Sequence, residues 1–199
     1  MPSTPSSSSS PPRKPKNSDR RTREYLTPDE VDRLIRAARK VGRHRSRDAA
    51  IILIMYRHGL RVGEVIDLRW EQLDLEQGLF HVRGLKQGNP SIHPLRGVEL
   101  RALRKVEKKY PKSPYVFLSE QGGNIGDSAV RKMVARAGEV AGIAFPVHPH
   151  MLRHATGFYL ANKGFDTRAI QSYLGHRNIT HTVRYTELVP GRFRDFWGD

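Results

Sequence analysis

The chain has 199 residues, enough for one substantial domain with a short appendage. Its 35 lysines and arginines against 20 carboxylates leave a formal charge of +15, which calls for a polyanionic partner, nucleic acid first. The lack of cysteine excludes a disulfide framework, a thiolate metal site and a cysteine nucleophile. The longest apolar run, Ile51 to Tyr56, is too short to cross a bilayer, so a cytoplasmic protein without a membrane partner is expected.

Residues 1–24 open on serine and proline and then turn basic, with Arg13, Lys14, Lys16, Arg20, Arg21 and Arg23. Such a leader is either a disordered solubilising tail or an arm laid along DNA phosphates. From Tyr25 the pattern becomes that of a folded domain spanning 25–199. Thr27, Pro28 and Glu30 form a capping box, and Val31, Leu34, Ile35 and Ala38 follow as a helical apolar stripe. A buried helix is expected over Asp48 to His58, ended by Gly59 in a left-handed cap, and a third over Val62 to Leu68. Leu79 to Leu85 and Ser91 to Leu95 read as a β-hairpin around Gly88, Asn89 and Pro90. Further helices are expected over Val98 to Lys109, Asp127 to Ala141, His150 to Lys163, Thr167 to Tyr173 and Ile179 to Thr186. Tyr115 to Leu118 reads as one more short strand. The fold class is therefore mainly α with a small antiparallel β-sheet, and no internal repeat is seen.

Four local features carry chemistry. Arg61 and Glu64 stand three apart where a buried helix stops at glycine, though an arginine there is ordinarily a helix-end charge. Lys86 sits in the hairpin, where lysines are ordinarily solvated. His150 and Arg153 can share a helix face in His-Pro-His-Met-Leu-Arg-His. His150 and His154 also have half the spacing of a zinc-binding helix, but Met151 stands where that motif needs its glutamate. Finally, Leu174-Gly175-His176 precedes Tyr185 by nine residues, counted from His176. Alone, Tyr185 would read as a packing residue.

In combination, Arg61, Lys86, His150 with Arg153, His176 and Tyr185 resemble the signature of the tyrosine site-specific recombinases, the family of the Xer proteins and lambda-type integrases. The likeness covers about residues 25–199. It is nearest to the small fimbrial-switch recombinases that invert a promoter segment, carried by His148 to His154, Leu174 to Asn178 with His181-Thr182-Val183, and Gly191-Arg192-Phe193 ahead of Trp197. Unlike the larger integrases, the sequence shows no amino-terminal core-binding domain.

The resemblance implies that Tyr185 attacks a DNA phosphodiester to give a 3′-phosphotyrosyl link, with Arg61, Arg153, His150 and His176 on the non-bridging oxygens. Lys86 would be the general acid for the 5′ oxygen and Glu64 a brace for the pocket. Arginine suits the task because its planar fork donates paired hydrogen bonds and stays protonated. No metal, ATP or other cofactor is implied. The implied partners are double-stranded DNA with specific repeat sites, three further copies in a homotetramer on DNA, and DNA-bending accessory proteins. The segment from Gly191 to Asp199, with Phe193, Phe196 and Trp197, would dock either on its own domain or on a neighbour. A non-catalytic DNA-binding regulator and a type IB topoisomerase are the competing readings.

Overall fold

The computed structural model describes residues 23–83 and 90–187. Lys86, the basic residues from Arg13 to Arg21, and the carboxy-terminal aromatics lie outside the described residues. The element order is α1 (Pro28–Ala38), α2 (Arg45–His58), α3 (Val62–Ile66), β1 (Leu73–Asp74), β2 (Leu79–Val82), β3 (Ser91–Pro94), α4 (Gly97–Lys109), α5 (Asp127–Val140), α6 (Pro149–Asn162), α7 (Thr167–Leu174) and α8 (Thr180–Glu187). No helix among the described residues is long and apolar enough to cross a membrane.

Helix α1 starts where the sequence places it. Thr27 caps the Glu30 amide and the Glu30 carboxylate accepts from the Thr27 amide at 2.9 Å. Its apolar face packs on α2 and α5. Helix α2 is the buried centre, with Ile51, Ile52, Ile54 and Met55 all sealed from solvent. It begins three residues earlier than expected, at Arg45 instead of Asp48, despite its polar first turn. Buried Arg47 is tolerated there because its guanidinium donates to Asp48 Oδ1 at 2.9 and 2.7 Å and to the Leu118 carbonyl at 2.5 Å. Gly59 ends the helix at φ +62°, and a Cβ at that position would lie 2.3 Å from Leu174 Cδ2, so both conformation and space require glycine. Helix α3 is shorter than expected and stops at Ile66.

The sheet has three antiparallel strands in the order β1-β2-β3. Strands β2 and β3 form the expected hairpin, Val82 opposite Ser91 and Phe80 opposite His93. Strand β1 was not foreseen: with two residues it is too short to show a period. It is fixed by pairing to β2 and by Asp74 Oδ1, which accepts from the Glu76 and Gln77 amides at 3.0 and 2.8 Å. The strand expected over Tyr115 to Leu118 is instead two isolated bridges, Arg69 to Tyr115 and Leu118 to Asn124. Its backbone bonds alternate between different partners, Leu68 on one side and Ile125 on the other, so no ladder forms. Arg23, grouped above with the leader, belongs to the fold: it pairs with Glu30 and its guanidinium lies 5.5 Å from the Phe145 ring centre.

Apolar residues divide between a large core around α2 and a smaller cluster of Phe158, Ala161, Ile170, Leu174 and Tyr185. The smaller cluster holds α7 and α8 against α6. Tyr185, singled out for chemistry, belongs to the smaller cluster.

Candidate active site

Arg153 projects inward from α6 and is only 2% exposed. A buried guanidinium needs its donors satisfied. Helix ends supply the acceptors, because their last carbonyls lack intrahelical partners. Arg153 Nη1 donates to the Gly59 carbonyl at the end of α2, at 2.5 Å, and Nη2 to the Leu174 carbonyl at the end of α7, at 2.6 Å. Burial, and secondarily the nearby Arg61 charge, pull its pKa down to about 10, so it remains a cation at neutral pH.

Arg61 is the residue before α3 and is held by Glu64. One carboxylate oxygen of Glu64 accepts from the Arg61 amide at 2.7 Å and the other from Nη1 at 3.0 Å. Glu64 is buried while the Arg61 side chain is 39% exposed. A small crevice is lined by Arg61, Glu64 and Arg153, by His58 and Tyr173, and by Val82 and Ser91. Those last two residues are where β2 ends and β3 begins.

The two histidines flank the arginines. His176, just past the left-handed cap at Gly175, is buried, and its Nδ1 lies 2.8 Å from Thr182 Oγ1. Its pKa is lowered to about 3 by burial first, then by the charges of Arg153 and Arg61. His150, in the first turn of α6, is exposed, and its pKa is lowered by desolvation and by Arg153, Arg184 and Arg61.

Tyr185 lies on α8 with its ring 1% exposed, seated on α6. A Cβ at Gly157 would come within 2.5 to 2.7 Å of the Tyr185 ring, and Phe158 meets that ring edge-on at 5.1 Å. The hydroxyl lies 2.9 Å from His154 Nδ1. Burial raises the phenol pKa; Arg184, Arg153 and Arg61 oppose that rise. The fold thus brings Arg61, Glu64, His150, Arg153, His176 and Tyr185 into one electrostatically coupled group.

Three contributors were given no role in this site from sequence, although His154 was weighed there as half of a metal pair. His154 touches the phenol and has its pKa lowered to about 3 by burial and then by His150. Arg184 sets Nη2 against the same imidazole, 2.7 and 2.8 Å from its nitrogens, and reaches Glu24 at 3.7 Å. Gly157 provides room for the ring. The one available signal was the closing histidine of His-x-x-Arg-His, adjacent to Arg153. His150 and His154 meet edge to face at 4.3 Å, and the described residues contain no cluster of three His, Asp or Glu suited to a metal ion.

The model of the phage integrase family matches residues 24–192. The type 1 fimbriae regulatory protein FimE of Escherichia coli K12 is 41% identical over 181 residues, covering 88% of this chain and 91% of FimE. Tyrosine recombinase XerD of Bifidobacterium longum is 33% identical over 182 residues, 84% of this chain and 59% of XerD. Among solved structures, XerA recombinase superposes with a TM-score of 0.73 at 31% identity, over 86% of this chain and 63% of XerA. The chain belongs to the phage integrase family.

Proposed function

We propose that this member of the phage integrase family recombines DNA at specific repeat sites, cutting with Tyr185 and resealing after strand exchange. Attack on a phosphodiester builds negative charge on the non-bridging oxygens, so catalysis consists mainly of fixed positive charge and donors at that position. Arg153 and Arg61 supply the charge, one anchored on helix-end carbonyls, the other steered by Glu64 from the solvent side. His150 and His176 add donors. With Nδ1 of His176 engaged by Thr182, Nε2 is the nitrogen left for the phosphate. Both imidazoles lose protons easily in the DNA-free protein, and a bound phosphate reverses part of that shift by adding an opposite charge.

The phenol is a poor nucleophile at an unperturbed pKa of about 10. The neighbouring arginines favour its ionised form, and the hydroxyl lies 2.9 Å from His154 Nδ1. Attack by the phenolic oxygen forms the Tyr185–3′-phosphate bond and breaks the bond to the 5′ oxygen. Lys86 would protonate that leaving oxygen. The phosphotyrosyl bond retains the energy of the broken linkage, so a 5′ hydroxyl from another strand reseals it by the reverse route. Residues 1–22 serve as a basic arm on the duplex, and exchange between two duplexes takes four copies of the chain, aided by DNA-bending proteins. Inversion is the favoured outcome, given the resemblance to the fimbrial-switch recombinases.

The observation that carries this reading is Arg153, a buried guanidinium electrostatically coupled to Arg61, His176 and the Tyr185 phenol. The test is a supercoiled plasmid in which candidate inverted repeats flank a reporter segment. Inversion of the segment by the wild type, and by no Tyr185→Phe variant, is expected. Relaxation without exchange, or binding without cleavage, would favour a topoisomerase or a regulator instead.

A further inference from the structure

Arg153 takes its two acceptors from segments distant in sequence, the end of α2 and the end of α7. Something must hold those ends at the span of one guanidinium. Beside them lies a cluster that the chemistry above does not use: His58 is the last residue of α2, Tyr173 the next-to-last of α7, and His93 of β3 sits between them.

The His93 ring stacks on Tyr173 with centroids 3.9 Å apart and planes 12° apart, and on His58 at 5.3 Å and 29°. His93 Nδ1 lies 3.1 Å from His58 Nδ1, and its Nε2 lies 2.9 Å from Ser91 Oγ. The Tyr173 hydroxyl donates to the Arg57 carbonyl at 2.8 Å, a second tie from α7 to α2. Behind His58, Glu99 Oε1 stands 2.7 Å from Nε2, in close contact but not aligned as a hydrogen bond. His58, His93 and Glu99 are each 2% exposed or less.

We propose that His93 and Tyr173 are positioning residues for Arg153, their ring stack clamping the two helix ends whose carbonyls seat its guanidinium. The clamp works through neighbours in the chain: His93 fixes Tyr173, one residue before Leu174, and His58, one residue before Gly59. Burial holds the His93 pKa down to about 3, so the ring stays neutral, with one nitrogen to donate and one to accept. Ser91, which also lines the crevice, holds the same ring through its hydroxyl.

This inference rests on the reading of Arg153 as a phosphate ligand. It is tested by single-turnover cleavage of a suicide substrate with His93→Phe, Tyr173→Leu, Arg153→Lys and the two doubles that include Arg153→Lys. Tyr173 is only half-buried, so Tyr173→Leu covers the case in which His93→Phe fails to fold. Each clamp variant should cleave about ten- to a hundredfold more slowly, the scale of a misplaced catalytic group, with DNA affinity within about twofold of wild type. Added to Arg153→Lys, either should cost little more, because both act through one guanidinium. Independent, multiplying losses would overturn the clamp, as would wild-type rates in both singles. A wild-type rate in Arg153→Lys would overturn the catalytic reading and the clamp together.

Discussion

Arg153→Lys separates charge from geometry. The arginine spans two carbonyl oxygens on different helices, at 2.5 and 2.6 Å, from a site 2% exposed. A lysine keeps the charge, but its three N–H donors radiate from one nitrogen on a shorter arm, so the paired geometry that spans both carbonyls is lost. A hydrogen bond to a charged group contributes about 1.5–3 kcal/mol, or roughly 3–12 °C in melting temperature for a chain of this length. The lost planar fork should also slow cleavage by about 100- to 1000-fold, the usual cost of removing one oriented donor. Arg61→Lys supplies the contrast. Its side chain is partly exposed and paired with Glu64, so stability should change by about 1 kcal/mol or less while cleavage falls as far. Urea unfolding and single-turnover cleavage on the same preparations read both quantities. Cleavage by Arg153→Lys within about threefold of wild type would refute the oriented-donor argument.

Acid should unfold the protein through three buried imidazoles. His93, His154 and His176 have folded pKa values near 3, below the ordinary 6.5, so the unfolded chain binds their protons first. Their contribution is complete above about pH 6.5 and is lost as pH falls towards 3. Each loses on the order of 1 kcal/mol between pH 8 and pH 5.5, and a flat urea-midpoint profile across that window would contradict it. Gly157→Ala should drive a methyl into the Tyr185 ring and cost about 1–3 kcal/mol; unchanged stability would mean the ring is not seated there. Lys86→Ala should cleave slowly on normal DNA and recover on a 5′-bridging phosphorothiolate, whose leaving sulfur needs no proton. Failure to recover would assign the acid elsewhere.

The local signals in the sequence were clear where the chemistry is local. The Thr27 cap, the Gly59 stop and the 3.6-residue stripes each depend on neighbours within one or two turns. The site was legible because Arg61, His150, Arg153, His176 and Tyr185 carry a motif. What that motif does not show is how each is held. Arg153 sits on carbonyls 94 and 21 residues away, and no side-chain pattern marks a backbone acceptor. His154 meets Tyr185 across 31 residues, and Gly157 matters only because the ring of α8 lies on it. Strand β1 and the early start of α2 were hidden for the same reason: each is fixed by tertiary partners, β2 for one and Leu118 for the other.

The central claim is that the Tyr185 oxygen becomes bonded to DNA. A suicide substrate that traps the covalent intermediate, followed by proteolysis and mass spectrometry of the DNA-linked peptide, tests it most directly. The account predicts a nucleotide attached to Tyr185 through its 3′ phosphate, and no adduct from Tyr185→Phe. Attachment at another side chain, or an undiminished adduct from that variant, would contradict it.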